Sequence, residues 1–316
     1  MSGLIIAVPS KGRLKEQVDE WLVDCGLKLE MTGGARGYLA SLKGLPGAQV
    51  RLLSASDIAD ALDAGEVHLG ITGEDLLRER GEDLDQRLLL LRPLGFGRAD
   101  LVTAVPKSWL DVETMADLEE VAHDYLARTG WRMRVATKYL AQTRSFFARH
   151  GIVDYRITES GGATEGAPAA GTAELVVDIT TTGATLVANG LKVLADGVML
   201  KSQAQLAASL RTAWDAEALA SAERLLRIVE ARAAALKSAT LAWPARGDSA
   251  EAAVVDALTA GGASRRPNGL LVDSSAVADA SLALTAAGLG PVTASRPGFV
   301  FDVGCAAFEA LKGRVI

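Results

Sequence analysis

Apolar residues in this chain fall into short runs that alternate with helical stripes. "LIIAV", Leu4 to Val8, is a continuous apolar run of strand length. After "PSKGR", the residues Leu14, Val18, Trp21, Leu22 and Cys25 recur at the spacing of one helix face. "AQVRLLS" reads as the next strand, and "SDIADALDAG" as a helix with Ser56 or Asp57 as N-cap and Gly65 as its stop. "EVHLGITG" predicts a further strand, and "EDLLRER" a helix with two acids in its first turn. Strands that alternate with helices imply a parallel sheet covered on both faces.

From Leu88 to Pro106 the pattern "LLLLRPLGFGRADLVTAVP" is broken by Gly95 and Gly97, which predicts that the chain leaves one sheet and enters another. A second α/β set follows in "DLEEVAHDYLARTG", "RMRVAT", a helix from Lys138 to His150, and "DYRITES". "LKVLADGVMLKS" is a strand pattern placed to cross back. The expected layout is therefore two lobes joined by paired crossings, with a cleft between them. Residues 1–96 with 190–210 form the first lobe and 97–189 the second. Residues 211–316 supply one long helix, Asp215 to Leu236, and a small third α/β domain. In that last part "ATLAWP", "GLLVD" and "GFVFDV" are strand candidates, with helical patterns at Ala250 to Ala260 and Ala276 to Ala287. No internal repeat is evident.

Composition narrows what these lobes can do. The 316 residues suffice for two or three compact units, and 49% of them are apolar. A net charge of −6 with no basic stripe argues against nucleic acid as a partner. Runs such as Leu88 to Leu91 are too short for a bilayer, and "MSGLIIAVPSKGR" lacks the apolar stretch of a secretory signal, so the expected setting is cytoplasmic, away from membranes. Cys25 and Cys305 are far apart in sequence and form no CxxC, and only His68, His123 and His150 could join them, which argues against zinc. His68 lies in a strand pattern, and His150 precedes Gly151 at a helix end, where a cation suits the dipole.

The chemistry concentrates in "LVVDITTTGATLVANG", Leu175 to Gly190. A β-branched run ends on an acid, then meets hydroxyls and a glycine before a helical pattern resumes. Parallel sheets bind ligands at the carboxyl ends of their strands, and a helix N-terminus offers unpaired N–H groups to an anion. Thr180, Thr181, Thr182 and Thr185 add hydroxyl donors there, and Gly183 lets the backbone approach a phosphate closely. Asp178 would repel that phosphate. It suits the hydroxyls of a sugar, and the pair describes a phosphorylated ribose. The plainer alternative is a strand-to-helix loop whose threonines cap the helix and whose acid satisfies backbone N–H groups.

"VVDITTTGATL" resembles the phosphoribosyl-pyrophosphate loop of phosphoribosyltransferases. The longer "ESGGATEGAPAAGTAELVVDITTTGATLVANGL", Glu159 to Leu191, is similar to the signature of the ATP phosphoribosyltransferase family of histidine biosynthesis. "LIIAVPSKGRL", "GEVHLGITGEDLL" and "RVATKY" extend the likeness over roughly the first 210 residues. The resemblance implies a two-lobed, periplasmic-binding-protein-like (type II) α/β core with a cleft. It also implies a reaction in which adenine N1 of ATP displaces pyrophosphate from phosphoribosyl pyrophosphate. No Ser, Cys or Lys nucleophile is then required; the enzyme aligns two anions and stabilises a cationic sugar centre.

By the same resemblance Thr181, Thr182, Gly183, Ala184 and Thr185 cradle the 5′-phosphate, with Thr180 beside them. Asp178 takes the ribose hydroxyls. Glu165, read at the start of another helix, is a candidate for the sugar or for Mg²⁺, or else a first-turn acid. Lys11, Gly12 and Arg13 follow the first strand, where the cations would meet pyrophosphate or ATP phosphates; Arg36 is a further phosphate candidate. One helix end contributes only about 0.3 to 1 kcal/mol toward an anion, so basic side chains and Mg²⁺, held mainly through substrate phosphates, must supply the rest. Tyr139 is either an adenine-stacking ring or core. The resemblance further implies histidine as feedback inhibitor, and a homo-oligomer or a complex with a regulatory subunit. Three departures stand out. Ser54 occupies a position expected to be basic, His68 one that is commonly acidic, and Ala239 to Ile316 reads as alternating strand and helix rather than the βαββαβ regulatory domain of the family's long form. Two other readings compete: a salvage phosphoribosyltransferase acting on another base or nucleotide, and a non-catalytic two-lobed small-molecule sensor.

Overall fold

The computed structural model describes residues 3–32 and 38–316, so Arg36 lies outside the described residues. The first lobe opens with β1 (Ile5–Pro9), α1 (Gly12–Asp24), β2 (Lys28–Met31), β3 (Leu39–Lys43), β4 (Gln49–Leu53), α2 (Ala55–Ala64), β5 (Leu69–Gly73), α3 (Glu74–Arg78), α4 (Leu84–Arg87) and β6 (Leu88–Pro93). β1 is buried at every position because its two faces feed different cores. Ile6 and Val8 pack toward α1, whereas Ile5 and Ala7 pack toward α2. That two-sided burial explains why the run reads as continuous rather than alternating. The β2–β3 hairpin was not predicted: its residues are largely exposed at the sheet edge, so no apolar run marks it. The N-cap of α2 is Ser54, whose hydroxyl accepts the Asp57 N–H at 3.2 Å, rather than Ser56 or Asp57.

After the Gly95–Gly97 break the second lobe takes β7 (Ala99–Pro106), α5 (Met115–Thr129), β8 (Met133–Thr137), α6 (Leu140–Arg149), β9 (Tyr155–Glu159), β10 (Leu175–Thr180), α7 (Ala184–Ala188) and β11 (Leu191–Ser202). β12 (Ala204–Ser209) then returns to the first sheet. The return was expected from residue 190. Instead β11 stays in the second lobe, paired antiparallel with β7 through two register shifts, and the chain crosses at Gln203. Strand orders are β2-β3-β4-β1-β5-β12-β6 and β11-β7-β10-β8-β9. Each lobe thus repeats one scheme: three parallel strands in the order second, first, third, then one antiparallel strand delivered by a crossing, then a last strand. This duplicated order is the type II periplasmic-binding-protein arrangement, and it carries no matching sequence repeat.

The two crossings are fastened to each other. Leu94 N–H donates to the Ala204 carbonyl at 2.9 Å, and Ala204 N–H to the Phe96 carbonyl at 2.9 Å. Gly95 N–H donates to Gln203 Oε1 at 3.1 Å. A hinge made this way carries its own backbone bonds, so the lobes are held in register without a large shared core.

Residues 211–316 do not form one unit. The long α8 (Ala216–Leu236), capped by Asp215, buries Ala222, Leu225, Leu226 and Val229 in the first lobe's core. The last helix, α11 (Ala306–Val315), comes back to the same core with Ala307, Phe308 and Leu311. Between them lies a separate body built from β13 (Ser238–Ala242), α9 (Ser249–Ala260), β14 (Ser264–Arg266), β15 (Gly269–Asp273), α10 (Val277–Ala286) and β16 (Thr293–Ser295). Its antiparallel sheet runs β14-β15-β13-β16 over its own core of Leu241, Leu270, Val272 and Leu284. The order is βαββαβ after all. Sequence reading overlooked the three-residue, fully exposed β14 and β16, and assigned a strand to "GFVFDV", which is irregular.

Candidate active site

β8, β9 and β10 are parallel, so their carboxyl ends meet at one edge of the second sheet, where it faces the first lobe. A cleft of about 530 Å³ opens there, lined from both lobes by Arg13, Gln17, Asp75, Arg98, Lys138 and Thr181 among others. Three of those six are cations, which gives an acidic protein a locally positive mouth.

At the end of β10 the chain turns through Thr180 to Gly183 into the single-turn α7. Thr180 Oγ1 accepts the Gly183 N–H at 2.8 Å, and Thr182 Oγ1 accepts the Ala184 N–H at 3.4 Å. These hydroxyls shape the turn, as the plainer reading held, while Thr181, Thr182, Ala184 and Thr185 remain exposed. Thr181 donates to the Arg98 carbonyl at 3.4 Å, which ties the turn to the hinge. Gly183 has φ of 75°, and a Cβ there would meet nothing within 4 Å. The glycine is required by backbone conformation, not by crowding.

Lys11, Gly12 and Arg13 form the equivalent turn after β1. Lys11 is the N-cap residue of α1, Gly12 has φ of 79°, and all three side-chain positions are exposed. Arg13 lines the cleft, facing the second lobe's turn across it.

Asp178 is half-buried and accepts only the N–H of its own neighbour Ile179, at 2.8 Å. Desolvation pushes its carboxyl above the ordinary carboxylate range; the Ile179 bond and Lys138 pull it down, and Glu165 pushes it up. The structure therefore brings Asp178, Glu165 and Lys138 within electrostatic reach of one another. Glu165 does not begin a helix. It sits in a single 3₁₀ turn, Thr164–Gly166, entered through Ala163 at φ of 49°. Ala163 is the one non-glycine residue with positive φ among the described residues, and such strain costs about 1–3 kcal/mol, so the loop's shape is held against a local preference.

Tyr139 is fully buried and cannot stack on a base. Its hydroxyl donates to Asp75 Oδ2 at 2.6 Å, across from one lobe to the other. Asp75 also accepts from Ser202 Oγ at 2.8 Å, and its N–H donates to that same oxygen at 3.0 Å. Nearby, Glu79 of the first lobe accepts the N–H groups of Ala141 (2.8 Å) and Gln142 (3.2 Å), capping α6 of the second. The acids of "EDLLRER" are thus not simply dipole partners; Asp75 is a seam between lobes. The seam, like Lys138, Arg98 and Gln17 in the cleft, escaped sequence reading. Lys138 alone carried a usable signal, since it is the first residue past a parallel strand in "RVATKY".

His68 is settled by its surroundings. It stands just before β5, its Nδ1 accepts the Ile5 N–H at 3.1 Å, and its Nε2 donates to the Ala213 carbonyl at 3.2 Å. Burial lowers its pKa below the usual value. It is a neutral core residue. His123 pairs with Asp154 at 3.2 Å on the surface, and His150 is the C-cap of α6.

The fold and cleft define a two-lobed α/β protein whose strand ends present a hydroxyl-rich, glycine-containing turn beside two carboxylates and several cations. Residues 54–230 match the family model described as "HisG: ATP phosphoribosyltransferase". An ATP phosphoribosyltransferase of Caulobacter vibrioides is 65% identical over 316 residues, covering 99% of both chains. One of a Bradyrhizobium strain is 58% identical over 238 residues, 75% of this chain and 73% of that one. Among solved structures, the ATP phosphoribosyl transferase (HisG:HisZ) complex from Thermotoga maritima includes a chain that superposes with a TM-score of 0.53 at 26% identity. The match covers 72% of this chain and 98% of that chain. The chain belongs to the ATP phosphoribosyltransferase family.

Proposed function

We propose that this chain transfers the phosphoribosyl group of phosphoribosyl pyrophosphate to N1 of ATP, with release of pyrophosphate and inversion at the anomeric carbon. The observation that carries the reading is the turn that leaves β10 with its threonines exposed: Thr181 lines the interlobe cleft, and Asp178 stands three residues before it on the same strand end. In this reading the turn grips the 5′-phosphate with main-chain N–H groups and threonine hydroxyls. Asp178 accepts from the ribose hydroxyls, and its desolvated charge favours the sugar as it becomes cationic. Lys11 and Arg13 approach from the first lobe to balance the ATP phosphates.

Asp178 and Glu165, carboxylates within electrostatic reach of each other, could lend oxygens to Mg²⁺ held mainly by substrate phosphates, an ion that would neutralise charge on the departing pyrophosphate. The βαββαβ domain matches the order that the resemblance assigns to histidine regulation, so we place feedback inhibition there. The Thermotoga complex supports assembly with further subunits. A cytoplasmic setting is supported by the use of ATP; among the described residues no helix is long and apolar enough to cross a membrane.

The test is direct. The protein incubated with phosphoribosyl pyrophosphate, ATP and Mg²⁺ yields a phosphoribosyl–ATP adduct and pyrophosphate, read by mass spectrometry. Product with free bases and none with ATP would establish a salvage enzyme instead. Binding of the donor without any turnover would favour the sensor.

A further inference from the structure

Three cations line the cleft, Arg13, Arg98 and Lys138, and one of them is placed differently from the rest. Arg13 enters from the first lobe. Arg98 is at the hinge, its carbonyl held by Thr181, so it borders the phosphate turn. Lys138 alone stands beside Asp178. β8 and β10 pair in parallel with Leu175 opposite Val135 and Val176 opposite Ala136. Lys138 is the first residue past the end of β8, in the cleft lining beside the end of the neighbouring β10, and its charge is near enough to Asp178 to draw that carboxyl down.

The side chain is also braced. Lys138 Nζ lies 5.0 Å from the centroid of the Tyr139 ring, and that ring is immobilised by full burial and by its hydroxyl's bond to Asp75. On the facing lobe, Ser54 contributes no charge and its hydroxyl is already spent on the Asp57 N–H.

The stereochemistry of the donor turns this placement into a role. Phosphoribosyl pyrophosphate is the α anomer, so its pyrophosphate projects from the same ring face as its two ring hydroxyls, while the incoming base attacks the opposite face. A cation next to the carboxylate that holds those hydroxyls is therefore on the leaving-group face. We infer that Lys138 is the leaving-group cation of the reaction proposed above, binding the anomeric pyrophosphate through its ammonium group. As the C1–O bond breaks, its electron pair goes to the pyrophosphate oxygen. The bond from adenine N1 to C1 forms with the lone pair of N1. Lys138 keeps its proton throughout and supplies charge alone, which is worth more in a closed, partly dried cleft than in water.

This inference rests on the assignment of Asp178 to the ribose hydroxyls, and the experiment separates the two. Inorganic pyrophosphate, ribose 5-phosphate and ATP are titrated into the full chain with Mg²⁺, for the wild type, Lys138→Met and Lys138→Arg. Because Lys138 is exposed, neither substitution opens a core. Lys138→Met is expected to weaken pyrophosphate about 10-fold, to leave ribose 5-phosphate and ATP within about 2-fold, and to lower kcat about 100-fold; Lys138→Arg recovers most of the pyrophosphate affinity. Unchanged pyrophosphate affinity in Lys138→Met overturns the inference, and so does an equal loss for ribose 5-phosphate, which would move the cation to the 5′-phosphate. A wild-type chain that forms no ATP adduct yet loses pyrophosphate affinity in Lys138→Met would sink the proposed reaction and leave Lys138 as an anion-binding residue.

Discussion

The cleft edge of the second lobe and the seam between the lobes lie a few residues apart, yet they treat their polar groups in opposite ways. At the seam, Asp75 is buried and meets Tyr139 and Ser202 at hydrogen-bonding distance. At the edge, Asp178 has a single bond, from its own chain neighbour, and a carboxyl destabilised by burial. A fully paired acid stabilises an arrangement of the fold; an underpaired one is poised for something not yet bound. Sorting the acids by what they already hold thus separates the one that ties the lobes together from the one proposed to meet substrate.

The comparison is broken most severely at Asp178. Replacing it with Asn is expected to lower kcat by about 10²–10³-fold while donor affinity changes little, since the charge matters most in the transition state. The same substitution should leave the melting temperature unchanged or raised. A carboxyl whose folded pKa lies above its unfolded value stabilises the fold below the unfolded pKa, about 3.9, and that contribution is lost as pH rises through the folded pKa. At neutral pH Asn therefore removes a burden. A fall in both turnover and melting temperature would make Asp178 a structural acid like Asp75.

At the seam the prediction inverts. Asp75→Ala leaves the Tyr139 hydroxyl buried without its acceptor, and it is expected to cost about 3 kcal/mol of stability, read by denaturant unfolding. Asp75→Asn keeps an acceptor oxygen and should recover part of it. Gly183→Ala tests the turn without touching either acid. Forcing φ of 75° on a residue with a Cβ costs about 1 kcal/mol, expected as a roughly 10-fold rise in the donor KM with a small loss of stability. The smallest effect belongs to His68. Its lowered pKa makes the neutral form part of the fold, so its contribution is intact above the unfolded value near 6.5 and is lost as pH falls below it. Wild-type melting temperature should decline as pH falls below the unfolded value near 6.5, and His68→Gln should flatten that decline.

What could be read from sequence follows the same physical division. β1, β5, α1 and α8 announce themselves because burial on a sheet face or helix stripe leaves a periodic apolar record. The turn at Thr180–Gly183 was legible because a strand pattern, a run of hydroxyls and a glycine precede a helical pattern there, and the structure turns at that point with Gly183 at φ of 75°. β2, β14 and β16 left little trace, being short and mostly exposed. The Asp75–Tyr139 pair was invisible for a different reason: 64 residues separate its members, and only the folded topology brings them together. Lys138 falls between these cases. Its strand was read correctly, but its partnership with Asp178 depends on which strands adjoin, and β8 next to β10 is a fact of sheet order.

The route of the chain through the third domain bears on how it can communicate. Because α8 enters that body and α11 leaves it, and both are embedded in the first lobe, the βαββαβ unit is spliced into the lobe rather than hung from its end. Cutting the chain after Leu236 would therefore strip Phe308 and Leu311 from the first lobe along with the extra domain, and loss of activity would say nothing about control. Excision of residues 238–295 with a short bridge spares both anchoring helices. It also follows that the inserted unit is moored at both ends, directly by α8 and, through residues 296–305, by a return strap whose Val300 N–H donates to the Ala231 carbonyl of that same helix at 2.9 Å.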